Sequence, residues 1–303
     1  MQICVKRLII LLALSSFLYG ADTGKKNILC SFYPMYILTQ NVAADVPGVV
    51  VECMASIQTG CLHDYQLTPQ DMKKLNSAYA LVINGAGMEA FLDKAITQFP
   101  GLKVIEASEG IRLIEAKGKQ HDGDHHHHES DHEHHFNPHV WVSVSGAISQ
   151  VENICKGLMD IDSSNAQKYR SNADRFAKSL EELKRKMHQG LSDISDRNII
   201  TFHEAFPYFA REFNLKIVAV IERESGSEPN ARELTEIIKL IREKKAKAIF
   251  IEPQYPAKTA QMISRETGKK LYTLDPVVTG PHHPDSYISI MERNLNVLQE
   301  ALR

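Results

Sequence analysis

The sequence lacks several features that would place it in common functional classes. Its 35 basic residues are matched by 37 acidic ones, for a formal net charge of −2. A basic surface for nucleic acid is therefore not expected. The chain also lacks H-E-x-x-H, the short helical zinc motif of metalloproteases. With 303 residues, 43% of them hydrophobic, it is instead long enough for two globular domains.

Long apolar runs are scarce as well. The run at 8–18 follows two basic residues and precedes Gly20 and Ala21, which is typical of a secretory signal peptide over 1–21. It is shorter than the about 20 residues of an ordinary membrane span, although an uncleaved anchor is the alternative. No cysteine follows the run at the cleavage point, so a lipid anchor is not expected. We therefore predict an exported, periplasmic and soluble chain.

Cysteine is rare, with five in the whole chain and none after Cys155. Beyond the predicted signal peptide the cysteines are Cys30, Cys53, Cys61 and Cys155. An even number in an exported chain permits disulfides, and Cys53 and Cys61 are close enough in sequence to close one loop. The alternative is a set of free thiols, because pairing cannot be deduced from sequence.

Apolar runs typical of strands alternate with helical patterns along the chain. This alternation predicts an α/β protein with parallel sheets in two Rossmann-like lobes. Thr68, Pro69 and Asp71 indicate the start of one helix, and Asn230 caps another. The predicted strands are 27–33, 48–54, 79–85, 102–108, 198–203, 215–221, 246–253 and 270–276.

A long amphipathic helix is predicted between the two lobes. Ser163 and Ser164 offer a cap, and apolar residues then recur at steps of three and four from Tyr169 to Leu191. Such a helix is a stiff rod about 40 Å long that could brace both lobes. The predicted division is an N-terminal lobe at 22–158, a linker helix at 159–195 and a C-terminal lobe at 196–303.

Four metal-type side chains lie at or near the ends of predicted elements: His63 in the loop after the second strand, His139 just before the helix that begins around Ser143, and His203 and Asp275 at the ends of two strands of the second lobe. Ligands of open α/β sheets bind beyond the carboxyl ends of the strands, so these four could converge in the cleft between lobes. Three imidazoles and a carboxylate suit tetrahedral Zn²⁺, and four protein ligands describe binding rather than hydrolysis. The alternative for each histidine is a hydrogen-bonded residue at a strand end.

Most of the 14 histidines lie elsewhere, in the acidic and histidine-rich tract 121–135. The tract has no apolar residues to pack, so we predict a mobile loop whose imidazoles hold metal loosely. The alternatives are a solvated loop without a metal role and an inserted tag. His282 and His283 are expected to be loop residues and not ligands.

The chain resembles the zinc- and manganese-binding solute-binding proteins that feed bacterial metal ABC importers. The resemblance is carried by "HDYQLTPQDM", "NGAGMEAFL", "NPHVW" after the His-rich tract, "FHEAFPYFAREF" and "TLDPV". It implies two α/β lobes joined by one long rigid helix, with the metal in the interlobe cleft. It also implies His63, His139, His203 and Asp275 as the ligands. The implied function is an extracytoplasmic, monomeric receptor that delivers Zn²⁺ to a membrane ABC permease.

Two details of the resemblance bear on the metal. Manganese receptors of this family carry a carboxylate where this chain has His203, which favours zinc here. Some zinc receptors carry a cysteine pair in the C-terminal lobe, which this chain lacks. The alternatives are a manganese receptor, a metal-buffering adhesin of the same fold, and a hydrolase using Glu204 as base. Glu204 adjoins His203 on a strand end and is expected to point away from it, so no enzyme activity is predicted.

Overall fold

The computed structural model describes residues 25–63, 65–116, 136–222 and 229–303. The predicted signal peptide and the His-rich tract 121–135 therefore lie outside the described residues. Within the described ranges, no helix combines the length and the apolar composition of a membrane span.

The N-terminal part forms a four-stranded parallel sheet in the order β2-β1-β3-β4. Its strands are β1 (Lys26–Cys30), β2 (Val49–Cys53), β3 (Ala80–Ile83) and β4 (Lys103–Glu106). A short antiparallel pair, β5 (Ile114–Glu115) and β6 (Phe136–Asn137), follows on either side of the residues that are not described. This pair delivers the chain to the cleft just before His139.

The C-terminal part repeats the arrangement in the order β10-β9-β7-β8, again with parallel pairing. Its strands are β7 (Asn198–Thr201), β8 (Lys216–Val220), β9 (Ala248–Ile251) and β10 (Lys270–Thr273). All eight predicted strands are thus present, each a few residues shorter than its apolar run. The α/β prediction of two lobes with parallel sheets is confirmed.

Helices cover the sheets and connect the two lobes. They are α1 (Tyr33–Val42), α2 (Pro69–Ser77), α3 (Asp93–Ile96), α4 (Val144–Ile161), α5 (Ala166–Gly190), α6 (Pro207–Glu212), α7 (Ala231–Lys244), α8 (Lys258–Thr267) and α9 (Ser286–Leu302). Single 3₁₀ turns occupy Ala90–Leu92, Val140–Val142 and Ser163–Asn165. The predicted caps are confirmed, because Thr68 and Asn230 each form a capping box with the residue three positions later.

The long helix α5 runs for 25 residues, about 37 Å, and contacts α1, α4 and α9. Its predicted apolar stripe, from Tyr169 to Met187, is buried. The predicted serine cap is wrong, because the helix begins at Ala166 without a side-chain cap. The reason is the buried carboxylate of Asp162, which accepts hydrogen bonds from Ser164 and Asn165 and holds them in a 3₁₀ turn. The predicted linker start, residue 159, falls in the last turn of α4.

Candidate metal centre

The carboxyl ends of the two sheets face one cleft, and the predicted site residues lie there. His63 is in the loop that follows β2, and His139 immediately precedes the 3₁₀ turn Val140–Val142. His203 and Asp275 occupy equivalent places in the second lobe, each two residues beyond its strand, β7 and β10. Side chains from both lobes therefore reach the same space, as the strand-end argument predicts.

Three imidazoles converge in this cleft. The Nε2 atoms of His63 and His139 are 3.3 Å apart. The ring of His203 has its centroid 4.9 Å from that of His139 and 5.8 Å from that of His63. The sulfur of Cys61 joins them, so that one donor atom from each of these four residues lies within 4.8 Å of every other.

The observed spacing matches what a small tetrahedral ion requires. With Zn–N bonds of about 2.0–2.1 Å, two nitrogens on a tetrahedron are separated by about 3.3–3.4 Å. The 3.3 Å between the Nε2 atoms of His63 and His139 is this distance. With donor atoms from four residues brought together at this spacing, the residues present fit a metal ion.

His139 is oriented by a neutral amide. Its Nδ1 lies 3.1 Å from Oδ1 of Asn137, and the same oxygen accepts the backbone N–H of His139. Because an amide oxygen only accepts, Nδ1 carries the proton and Nε2 keeps its lone pair for a metal. Asn137 donates from its amide nitrogen to the carbonyl oxygen of Glu204 in the other lobe, 2.8 Å away.

His203 is oriented by a charged group instead. Its Nδ1 lies 3.2 Å from both carboxylate oxygens of Glu252, whose side chain is almost fully buried. Glu252 is in turn held by Gln254, which donates to Oε2 at 2.7 Å. Nε2 of His203 is buried and has no hydrogen-bond partner within the described part of the chain. A buried nitrogen without a partner is costly unless it binds a ligand, and here it belongs to the convergent group.

Asp275 lies outside the group of four donor atoms that the described residues bring together. Its Oδ1 accepts the backbone N–H of Val277 at 2.8 Å, and Asn294 bonds to both its N–H and its carbonyl oxygen. Burial, with a smaller contribution from the nearby charge of Glu252, raises the pKa of the Asp275 carboxyl to about 6. Its assignment as a ligand remains a prediction.

Two residues of the centre are not predicted from the sequence. For Cys61 the sequence leaves a disulfide or a free thiol open, whereas the described cysteines are all free and the Cys61 sulfur lies 3.6 Å from Nε2 of His139. Burial raises the pKa of its thiol well above the ordinary value. Glu252 was hidden at the end of an apolar strand. A single acidic residue following the buried run of β9 was the available signal.

His282 and His283 lie apart from the cluster of imidazoles. His282 and His283 are exposed in the loop between β10 and α9, with Nδ1 of His282 2.9 Å from the hydroxyl of Tyr36. Neither belongs to the convergent group. The histidines of 121–135 lie outside the described residues.

Comparison with known proteins agrees with this arrangement of two parallel-sheet lobes around a cluster of metal-type donors. The family model described as "Zinc-uptake complex component A periplasmic" matches residues 28–301. The chain therefore belongs to the ZnuA family.

Individual proteins similar to this chain share about 30% of its residues. The zinc-binding lipoprotein AdcA of Streptococcus pneumoniae is 31% identical over 92% of this chain and 56% of its own length. The chain thus spans little more than half of that relative. A solved zinc-bound variant of AdcAII from Streptococcus pneumoniae aligns with a TM-score of 0.80 at 28% identity, over 92% of this chain and 99% of that one. The solute-binding protein FpvC of Pseudomonas aeruginosa, in complex with Mn²⁺, aligns with a TM-score of 0.79 at 29% identity, over 92% and 98%.

Proposed function

We propose that this protein is an extracytoplasmic receptor that binds Zn²⁺ between its lobes and delivers it to a membrane ABC permease. The observation that carries the proposal is the convergence of three imidazoles, with two Nε2 atoms 3.3 Å apart and the third buried without a partner. His63, His139 and His203 are the proposed ligands, together with Asp275, which the family resemblance implies. Zinc here is cargo and not a resident cofactor.

The donor set supports zinc over manganese. Manganese prefers oxygen ligands and higher coordination numbers, whereas zinc accepts imidazole and thiolate in a four-coordinate shell. The convergent group of the described residues offers three nitrogens and one sulfur. The solved manganese complex of FpvC keeps a manganese receptor as the second candidate, and the nitrogen-rich set argues against it.

Binding, rather than catalysis, fits the donor count. A catalytic zinc site keeps one position open for water, whereas four protein donors close the tetrahedron. Glu204, the one candidate base of the alternative hydrolase, accepts a hydrogen bond from Asn137 through its backbone carbonyl oxygen. We therefore propose a transport role without enzymatic activity.

The cellular setting of the proposal follows from the family and the N-terminal sequence. The matched family is described as periplasmic and as a component of a zinc-uptake complex. Cleavage of a signal peptide at about residue 21 would release a soluble monomer into that space. The proposed partner is the permease of an ABC importer.

Zinc binding can be followed through the single tryptophan. Trp141 is fully buried, and its ring lies 5.2 Å from that of His139. We expect a change in its fluorescence that saturates at one tight equivalent of zinc, with a much weaker response to manganese, in titrations against a competing chelator. Deletion of the gene should slow growth only when zinc is limiting.

A matched control is the exposed His188 on α5, which is not part of the donor group and whose ring lies 4.9 Å from that of Phe213. His188→Ala should bind zinc like the wild type, whereas His63→Ala should not. A wild-type protein that binds manganese as tightly as zinc, or a deletion strain indifferent to zinc supply, would contradict the proposed function.

A further inference from the structure

The loop between β2 and α2 presents a sulfur atom to the imidazole cluster. Cys61 follows Gly60, whose φ of +84° turns the chain sharply, and precedes His63 by two residues. A side chain at Gly60 would contact Gln254 of the other lobe, 3.5 Å away, so the turn sits against the opposite lobe. This turn directs the sulfur of Cys61 and the imidazole of His63 into the same cleft.

The position of the sulfur is that of a ligand. A tetrahedral zinc ion with a Zn–S bond of about 2.3 Å and a Zn–N bond of about 2.05 Å would separate sulfur from nitrogen by about 3.6 Å. The sulfur of Cys61 lies 3.6 Å from Nε2 of His139. The two measured donor separations, one between nitrogens and one between sulfur and nitrogen, therefore agree with the same small ion.

An independent observation points to a ligand in this place. Nε2 of His203 is buried and has no hydrogen-bond partner among the described residues, and His203 belongs to the same group as Cys61. A metal bound by the three imidazoles alone would have a vacant corner. Among the described residues, Cys61 is the one that adds a donor atom to that group.

Resting on the proposed function, we propose that Cys61 is a direct ligand, so that the bound ion has three imidazoles and one thiolate. The thiol proton is released to solvent as the metal–sulfur bond forms. The negative charges of the thiolate and of Glu252, which is hydrogen-bonded to His203, then balance the two positive charges of the ion. Cys61 then takes the fourth position of the shell, for which the family resemblance implies Asp275, and Asp275 lies outside the group of convergent donor atoms.

A thiolate in the shell makes Cys61 a specificity residue. Sulfur ligands favour zinc and disfavour manganese, which prefers oxygen. Replacing the thiol by a hydroxyl in Cys61→Ser should therefore narrow the preference for zinc over manganese. We expect zinc affinity to fall at least as much as on loss of a group that orients a ligand, about 10–100-fold.

The test uses Co²⁺ as a spectroscopic substitute for zinc in the full-length protein. A thiolate ligand gives intense sulfur-to-cobalt charge transfer in the near ultraviolet, whereas the visible bands report a tetrahedral ion of any ligand type. The wild type should show both. Cys61→Ser should keep the visible bands and lose the charge transfer. The matched control Cys155→Ser, which alters a buried thiol on α4, should keep both.

The cobalt spectra can contradict the thiolate ligand without contradicting the proposed zinc receptor. Cobalt bound by the wild type without sulfur charge transfer, or charge transfer that persists in Cys61→Ser, overturns the thiolate ligand and leaves the zinc receptor standing. A wild type that binds neither cobalt nor zinc, judged by the fluorescence of Trp141, overturns both. If Cys61→Ser unfolds, Cys61→Ala gives the same comparison.

Discussion

The two lobes hold their imidazoles in different ways. In the N-terminal lobe, His139 is oriented by the neutral amide of Asn137, while in the C-terminal lobe His203 is oriented by the buried carboxylate of Glu252. Both partners leave Nε2 available for a metal. Of these two orienting groups, only Glu252 carries a negative charge, and buried charge acts strongly where water is excluded. The partner of His139 therefore fixes its orientation alone, whereas the partner of His203 adds charge as well.

Asn137 also joins the two halves. Its oxygen accepts from His139, and its nitrogen donates to the backbone oxygen of Glu204, next to His203. Trp141 adds a second link nearby, donating from its indole nitrogen to the carbonyl oxygen of Pro276, 2.8 Å away. One short segment of the N-terminal lobe thus fixes a ligand and ties it to the loops that carry His203 and Asp275.

The largest effect on zinc affinity should follow removal of His203, the imidazole that is paired with a carboxylate. His203→Ala leaves Glu252 buried without its imidazole and opens the coordination shell, so zinc affinity should fall by more than the roughly 100-fold that loss of an orienting group can cost. Chelator-competition titrations measure this. His188→Ala, on the surface of α5, should bind normally. Equal affinities for wild type and His203→Ala would remove His203 from the site.

Replacing His203 by a carboxylate should change the preferred metal. His203→Glu supplies the oxygen donor that manganese prefers, but it also faces Glu252, so zinc should weaken strongly while manganese gains or holds. The measured quantity is the ratio of zinc to manganese affinity in paired titrations. An unchanged ratio would show that His203 does not determine selectivity.

Smaller effects should distinguish the two orienting groups. Glu252→Gln keeps the shape and removes the charge, and we expect zinc affinity to fall toward the upper part of the about 10–100-fold range known for such groups. Asn137→Ala removes no charge, so we expect its loss of zinc affinity to lie in the lower part of that range. Titration of both variants checks the order, with thermal unfolding of the zinc-free proteins as the control. A larger loss in Asn137→Ala would reverse the comparison.

The least effect on the tight site is expected from the His-rich tract. Deletion of 121–135 should remove weakly bound zinc equivalents and leave one tight equivalent, because the tract is rich in histidine and acidic residues whereas the proposed ligands lie outside it. Equilibrium dialysis with and without the tract gives both numbers. Loss of the tight equivalent would show that the tight site depends on the histidines of the tract and not on His63, His139 and His203 alone.

Much of this centre was predictable from the sequence, for a topological reason. In a parallel sheet every strand ends at the same edge, so residues that follow different strands meet there even when they are far apart in sequence. His63 and His203, separated by well over a hundred positions, were brought together by that rule. The caps at Thr68 and Asn230 were local patterns and equally visible.

The unpredicted parts depend on tertiary contacts. Nothing in the sequence near Ser163 shows that Asp162 will capture Ser164 and Asn165 and delay the start of α5. The pairing of Glu252 with His203 crosses neighbouring strands, β7 and β9, and is set by their register. Cys61 suggested a disulfide because its spacing from Cys53 was the nearest signal. Its actual neighbour is His139, far along the chain.

The most direct test of the central claim is anomalous diffraction at the zinc absorption edge from crystals of untagged, zinc-loaded protein. If zinc is bound by the three imidazoles, one strong peak is expected in the interlobe cleft, within about 2.0–2.1 Å of the Nε2 atoms of His63, His139 and His203. A peak elsewhere, or a protein that retains tightly bound zinc with no peak among these three imidazoles, would contradict it.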